Sequence, residues 1–243
     1  SIYLYLMDTF FIGKGEYMQI KEMLADSSNY TKGRKQEIKY IVVHYTANNG
    51  DRAESNGKYF QQPNRNASAH YFVDESNVVQ SVRDSDTAWH CGAKSYKHDK
   101  CRNDNSIGVE MCSEKDSKGQ YYINEQTQNN TLEVVKWLME KYGVPLENVV
   151  RHYDVTGKLC PEPFVRNQVQ WLDFKGKLGE KKGEEEEMTY NYIDKNMPDW
   201  ARPTIQKLVE KGYLNGNEKG ELGLNDTMLK IFVVNDRAGM YDR

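Results

Sequence analysis

Residues 38–44 read Ile-Lys-Tyr-Ile-Val-Val-His, and this stretch decides the fold class. A β-branched apolar run of this length predicts a buried strand that leads directly into His44. Further strands are predicted at 70–73, 78–82 and 106–112, and the polar turn at 74–77 joins the strand at 70–73 to the strand at 78–82. Because long loops and helical segments separate these strands, the pattern favours an α/β domain built on a central sheet.

One helix is predicted over 131–142, where Leu132, Val135, Leu138 and Met139 follow the spacing of a single helix face. Gly143 and Pro145 would end it.

A charged stretch predicts the domain boundaries. Residues 176–190 are rich in Gly, Lys and Glu, which favours a solvated linker between an 18–175 domain and a small helical domain at 191–243. In the small domain, one helix is predicted at 198–211, with Trp200, Ile205, Leu208 and Val209 as its apolar stripe, and another from Asp226 to about Val234.

Residues 1–17 allow two interpretations. Lys-Gly-Glu at 14–16 can be encoded by a sequence that resembles a bacterial ribosome-binding site, so Met18 could be the native start and 1–17 a translated leader. An ordinary N-terminal strand or helix is the alternative. The apolar run at 2–12 lacks the basic flank and cleavage site of a signal peptide and is too short to span a bilayer.

Composition narrows the class of partner. The chain has 243 residues, 28% of them charged, and a net charge of −3, which gives no basic surface for nucleic acid and no reason to expect membrane insertion. Four cysteines are too few for a disulfide scaffold in a chain of this length. Reduced thiols are therefore favoured at Cys91, Cys101 and Cys112, and one disulfide among them stays open.

His44, His152 and Cys160 are the candidate metal ligands. A catalytic zinc site uses three protein ligands and keeps a fourth position for water or substrate. The spacing of His152 and Cys160 matches no zinc finger, which argues against a closed structural site. Each residue alone is weak evidence, because a lone histidine or buried cysteine is commonly structural.

Five motifs, in chain order, resemble the type 2 N-acetylmuramoyl-L-alanine amidases. This family includes phage and bacterial endolysins and is similar to the peptidoglycan recognition proteins. The motifs are Val43-His-Tyr-Thr-Ala47, Ser68-Ala-His-Tyr71, Ala88-Trp-His-Cys-Gly92, Asn105-Ser-Ile-Gly-Val-Glu110 and Arg151-His-Tyr-Asp-Val-Thr-Gly-Lys-Leu-Cys-Pro161.

The resemblance implies a mixed central sheet flanked by helices, with zinc (Zn2+) held by His44, His152 and Cys160 in a surface groove. It implies cleavage of the amide between N-acetylmuramic acid and L-alanine in bacterial peptidoglycan. Glu110 matches the family's catalytic carboxylate, and Lys158 matches a position associated with transition-state stabilisation. One departure is Ala69, where several relatives carry a tyrosine whose hydroxyl faces the zinc. Because this tyrosine is absent here, the resemblance makes Glu110 the main candidate for the catalytic role.

Other motif residues are candidates for contact with the substrate. Trp89 and His90 lie in the motif that the family uses to line its groove, and Asn105 and Arg102 could help to place the substrate. His70 is expected beside the ligands or in the core rather than as a fourth ligand. Tyr71 should point to the opposite face of its strand and so cannot replace the missing tyrosine.

The tail resembles a single S-layer-homology-like unit, which implies cell-wall targeting and leaves a homodimer through this domain open. A non-catalytic peptidoglycan-binding protein is the alternative function, although such relatives usually lack the Cys ligand. A zinc peptidase that cuts between stem amino acids is a smaller possibility. Without a recognisable signal peptide, the expected route is synthesis in the cytoplasm and release to the wall through a holin, as for a phage endolysin.

Overall fold

A mixed sheet organises the first part of the chain, in a computed structural model that describes residues 9–11, 17–179 and 188–242. The described strands are β1 (Thr9–Phe11), β2 (Tyr17–Glu22), β3 (Tyr30–Thr31), β4 (Tyr40–Tyr45), β5 (Tyr71–Val73), β6 (Val78–Gln80), β7 (Thr87–Ala88), β8 (Ser106–Met111), β9 (Glu114–Lys115), β10 (Tyr121–Tyr122) and β11 (Val149–Arg151). The described helices are α1 (Ala53–Phe60), α2 (Glu125–Tyr142), α3 (His152–Thr156), α4 (Glu162–Arg166), α5 (Gln168–Gly179), α6 (Arg202–Glu210) and α7 (Asp226–Arg237).

The main sheet has the strand order β1-β2-β6-β5-β8-β4-β11. Strand β4 is parallel to both of its neighbours, β8 and β11, whereas β5 and β6 are antiparallel. Two small ribbons, β3 with β7 and β9 with β10, flank it. The expected α/β class with a mixed central sheet is confirmed.

Alternation along β4 separates the core from the site. Ile41, Val43 and Tyr45 pack into the large core that α2 and α5 cover, while Tyr40 and Val42 pack into a smaller cluster on the other side. Since side chains of a strand alternate between its faces, His44 shares the face of Tyr40 and Val42. The face away from α2 therefore carries the candidate ligand.

Helix α2 is longer than its apolar pattern predicts. It begins at Glu125 because the Asn124 side chain caps it, accepting a hydrogen bond from Thr127 N at 2.8 Å. It ends where Gly143 adopts a left-handed conformation with φ of 62°. Leu138 on the inner face of α2 is fully buried, and its removal from water contributes about 1.5–3 kcal/mol.

The chain divides into two compact units at Gly179. Residues 176–179 of the expected linker form the last turn of α5, because Leu178 is buried in the core of the first unit. The rest of the charged run, 180–187, lies outside the described residues. Tyr190, also within the expected linker, pairs with Leu224 and belongs to the core of the second unit.

The second unit is helical, and α6 is shorter than expected. Residues 198–201 form a turn before it, and Trp200 is 44% exposed rather than part of the buried stripe. Ile205 and Leu208 of α6 are buried with Leu229 and Val233 of α7.

Most of residues 1–17 fall outside the described residues. The exceptions are β1, which pairs antiparallel with β2, and Tyr17 at the start of β2. No described helix is long and apolar enough to cross a membrane. All four cysteines fall within the described part of the chain, and none forms a disulfide there.

Candidate metal centre

Three adjacent parallel strands bring the candidate residues to one edge of the sheet. His44 on β4 is in register with Glu110 on β8. On the other side of β4, Arg151 is in register with Val43, so His152 follows β11 at the level of His44. The carboxyl ends of parallel strands are where open α/β sheets commonly hold ligands.

A short turn returns Cys160 to this edge. Helix α3 ends at Gly157, which has φ of 84°, and the chain then folds back so that Tyr153 N donates to the Cys160 carbonyl at 2.8 Å. The buried Arg151 side chain holds the start of this turn through Asp154 at 2.8 Å and the Phe164 carbonyl at 2.9 Å. Local backbone geometry therefore sets the position of the thiol.

His44, His152 and Cys160 form a buried set of metal-binding groups. One ligand atom from each lies within 4.8 Å of the others. The Cys160 Sγ is 3.7 Å from Nδ1 of His44, which identifies Nδ1 as the nitrogen that faces the set. Two imidazoles and one thiol are a donor set that suits catalytic zinc.

Burial sets the charge of the three groups. Burial lowers the pKa of His44 well below its usual value and lowers the pKa of His152 to about 3. Neighbouring histidines and the positive charge of Lys158 lower both pKa values further. Both rings are therefore neutral at pH 7. Burial also raises the pKa of the Cys160 thiol, with a contribution from Glu110. A thiolate here needs a bound cation as its partner, which couples proton release to metal binding.

Glu110 is the carboxylate of the site. Its Oε1 lies 3.9 Å from His44 Nδ1, and its Oε2 is buried with no hydrogen-bond partner in the described part of the chain. Burial raises its pKa to about 8, an effect that the Lys158 charge partly opposes. Buried carboxylate oxygens are normally paired, so Oε2 fits a site that receives a metal-associated or substrate group.

Lys158 lies on the exposed turn between α3 and Cys160. Its positive charge helps to lower the pKa of His152 and limits the rise in the pKa of Glu110. The ammonium therefore influences the charge state of both groups. The side chain faces solvent and is not a buried lysine.

A groove of about 670 Å³ opens beside the ligands. Its lining includes His152, Lys158, Trp89 and Asn103. Trp89 and Asn103 also line a second cavity of about 420 Å³. The Trp89 indole N–H donates to Thr31 Oγ1 at 2.9 Å and fixes the ring between the two cavities.

Three of the expected substrate-contact residues use polar side-chain atoms for hydrogen bonds within the fold, and their contact with substrate stays a prediction. His70 is fully buried and its Nδ1 accepts from Gly108 N at 3.0 Å. Asn105 is buried and bonds within its own loop, to Arg102 N and the Lys100 carbonyl. The Arg102 guanidinium donates to three carbonyls of residues 98–101 and stacks on Tyr96 at 3.8 Å. The hydrogen-bonding atoms of these side chains are thus used by the fold.

Ala69 is a buried residue of the core. It is 1% exposed and packs with Met23, Phe72 and Cys112. Tyr71 points into the opposite core, where its hydroxyl donates to Asp84 Oδ1 at 2.7 Å. Neither residue offers a hydroxyl to the metal-binding groups.

Asn103 and Ser106 were not singled out from the sequence. Asn103 Oδ1 accepts from the backbone N–H groups of His90 and Cys91, and Ser106 Oγ contacts His90 Nε2 at 3.1 Å. A signal for Ser106 existed, because Ser106, Gly108 and Glu110 alternate along one strand and therefore share a face. Asn103 lies in a loop, where no periodicity applies.

The fold and the grouped His44, His152 and Cys160 define an α/β protein with a buried site of two histidines and one cysteine. The site lies at the carboxyl ends of parallel strands. Residues 34–163, more than half of the chain, match the N-acetylmuramoyl-L-alanine amidase family, and the chain belongs to it.

Relatives and solved structures agree with this family. The N-acetylmuramoyl-L-alanine amidase BlyA of Bacillus subtilis (strain 168) is 32% identical over 200 residues, covering 77% of this chain and 51% of BlyA. CwlL of Bacillus licheniformis is 36% identical over 156 residues, covering 58% of this chain and 41% of CwlL. The catalytic domain of XlyA, a Bacillus subtilis amidase, is 27% identical with a TM-score of 0.56, covering 67% of this chain and all of that domain. The chain thus spans about half the length of BlyA and less than half of CwlL.

Proposed function

We propose that this chain is a zinc-dependent amidase that hydrolyses the amide between N-acetylmuramic acid and L-alanine in bacterial peptidoglycan. The observation that carries the proposal is the convergence of His44, His152 and Cys160 within 4.8 Å, with the Glu110 carboxylate 3.9 Å from the first of them. Membership of the amidase family supports the bond that is cut.

Each polar residue of the site has a role in this proposal. When bound, zinc supplies Lewis-acid chemistry, polarising a carbonyl oxygen and making water a better nucleophile. Glu110 takes one proton from the attacking water and returns it to the leaving amine, and its raised pKa suits both steps near neutral pH. The Lys158 ammonium stabilises negative charge that develops on the carbonyl oxygen. The C–N bond breaks, giving a lactyl carboxylate and a free L-alanine amino group.

Purified peptidoglycan and defined muropeptides test this function. The purified protein should contain zinc, and digestion should release free L-alanine amino termini without new reducing sugar ends. A chelator should abolish the reaction, and added zinc should restore it. New amino termini on a residue other than L-alanine would instead identify a peptidase acting within the stem. Binding of walls with no cleavage by the zinc-loaded protein would favour the non-catalytic alternative.

The second unit is proposed as a wall-binding module. A module of this kind would hold the catalytic unit near its polymeric substrate and raise its effective concentration there. The test compares wall binding by the full chain with binding by residues 1–179. Removal of the second unit should weaken binding to walls while leaving turnover of small soluble muropeptides unchanged.

A homodimer through the second unit is part of the same proposal. Helix α7 leaves Met228, Ile231 and Val234 exposed at three-residue intervals, while Leu229 and Val233 are buried. Light scattering of the full chain should give twice the monomer mass, and Ile231→Glu should return the mass to that of one monomer.

The last part of the proposal is that the protein acts at the wall after holin-dependent release from the cytoplasm. Lysis of cells that express the chain with and without a holin tests this route.

A further inference from the structure

His90 lines the groove, as expected from its motif, and its ring also lies against His44. It is 8% exposed, and both of its ring nitrogens have partners. Nδ1 is 3.0 Å from Nε2 of His44, and Nε2 is 3.1 Å from Ser106 Oγ. Its ring therefore touches the ligand from the side that faces away from Cys160.

The far end of this chain of contacts fixes the positions of the protons. Ser106 Oγ lies 2.6 Å from the Arg102 carbonyl oxygen, which can only accept, so the serine hydroxyl must donate to it. Ser106 Oγ then accepts from Nε2–H of His90. A neutral His90 protonated on Nε2 has a free lone pair on Nδ1, which accepts from Nε2–H of His44. A neutral His44 with its proton on Nε2 presents a free lone pair at Nδ1, the atom that faces Cys160.

The opposite proton order is disfavoured by the same contact. If His44 carried its proton on Nδ1, a neutral His90 would have to donate from Nδ1, which leaves Nε2 as an acceptor that faces Ser106 Oγ. The single hydroxyl proton of Ser106 would then be needed both by Nε2 and by the Arg102 carbonyl at 2.6 Å, and one of these contacts would join two acceptors.

Gly108 and Asn103 give the His90 ring its position. A Cβ at Gly108 would lie 2.6 Å from His90 Cγ, so only glycine leaves room for the ring over this strand. The Asn103 side chain holds the backbone at His90 and Cys91 through hydrogen bonds of 3.2 and 2.8 Å. Ring and backbone are thus both fixed.

We infer that His90 is a positioning residue that, through Ser106 and the Arg102 carbonyl, holds His44 in the tautomer whose Nδ1 can bind the metal. The inference rests on the proposed zinc site. Residues that orient a metal-binding histidine in this way typically change metal affinity by about 10–100-fold when replaced.

Two variants of His90 separate this role from simple packing. His90→Leu fills the space but offers His44 no acceptor, and zinc affinity measured by competition with a chromophoric chelator should fall about 10–100-fold. His90→Asn puts an amide oxygen near the position of Nδ1 and should recover a large part of that loss. Equal zinc affinity in wild type and His90→Leu, or equal losses in both variants, would overturn the inference.

Ser106→Ala tests the chain without touching His90 or His44. Nitrogen NMR of the imidazole rings in metal-free protein should report His44 protonated on Nε2 in the wild type and a mixture of tautomers in Ser106→Ala. Ser81→Ala is the matched control, since Ser81 is equally buried and its Oγ makes no hydrogen bond in the described residues. A wild-type His44 protonated on Nδ1 contradicts the inference whether or not zinc binds. Failure of the wild type to bind zinc would contradict the proposed function instead.

Discussion

His44 and Glu110 are register partners on the neighbouring parallel strands β4 and β8, with Nδ1 of the histidine 3.9 Å from Oε1 of the carboxylate. Residues in register on adjacent strands share a face of the sheet, so backbone hydrogen bonds hold the proposed metal ligand beside the proposed proton-transfer group. The relationship is rigid because β4 and β8 are each paired with a neighbouring strand on both sides.

Glu110→Gln should separate catalysis from metal binding. The amide is close in size to the carboxylate but cannot take a proton from water, so kcat should fall by about 10²–10⁴-fold. Zinc content should stay the same because Glu110 is not one of the three ligands. Glu140→Gln, an exposed glutamate of α2, is the control and should keep full activity. A Glu110→Gln enzyme with normal turnover would remove Glu110 from the mechanism while leaving the metal site intact.

Cys160→Ser should weaken zinc binding and abolish amidase activity. A neutral hydroxyl is a much poorer zinc ligand than a thiolate. Metal analysis and wall digestion measure the two effects. Cys112→Ser is the matched control, because Cys112 is also buried but contacts Asn56 rather than the ligands. If the Cys160 variant retained zinc and lysis, the ligand assignment would be wrong.

Lys158→Gln should lower kcat with little change in KM or zinc content. The charge it removes would stabilise the transition state more than the bound substrate, and loss of one such donor costs about 10²–10³-fold. Lys94→Gln removes another charge that lines the same groove and should have a small effect. Similar losses in both variants would indicate a general effect of groove charge instead.

Gly108→Ala should damage the site through His90. The added methyl group would lie 2.6 Å from the ring, and relieving such overpacking costs about 1–3 kcal/mol of stability. Zinc affinity should fall in parallel as the ring moves away from His44. Gly176→Ala in α5 is the control: its Cβ would meet nothing within 4 Å, and alanine should stabilise the helix by about 0.5–1 kcal/mol. Unchanged zinc affinity in Gly108→Ala would show that the ring position is not critical.

Acid should weaken the second unit through Asp236. Hydrogen bonds from Lys207 and Thr204 lower the pKa of this carboxyl below its ordinary value of 3.8. A lowered folded-state pKa contributes stability that is present above 3.8 and is lost as the pH falls through the folded-state value. The amide-exchange protection factors of Leu208 and Leu229, corrected for the intrinsic exchange rate at each pH, should therefore fall in acid, and Asp236→Asn should reduce this pH dependence. Glu218→Gln, an exposed change, should leave it as in the wild type.

Local pattern was sufficient for the fold class and for the strands β4, β5, β6 and β8 of the main sheet, but it did not predict β2 or β11. The run before His44 predicts β4 because β-branched residues fit a buried strand, and Leu132, Val135 and Leu138 predict α2 because their spacing matches a helix face. The early start of α2 depends on a cap at Asn124, and the helical end of α5 depends on burial of Leu178. Capping and tertiary burial set these two helix ends, and apolar spacing alone does not predict either of them.

The sequence by itself determined which residue types could bind a metal, and the order of five motifs identified the family to which they belong. It could not determine which of the remaining motif residues reach the substrate. His70, Asn105 and Arg102 are polar and lie in the right motifs, but their hydrogen-bonding atoms are used inside the fold. Only the tertiary structure brought His90 and Ser106 beneath His44, because that contact joins a loop and two strands that are distant along the chain. Strand register sets the distances between them and exists only after the sheet has formed. Only then does Gly108, which has no Cβ, come to lie against the His90 ring.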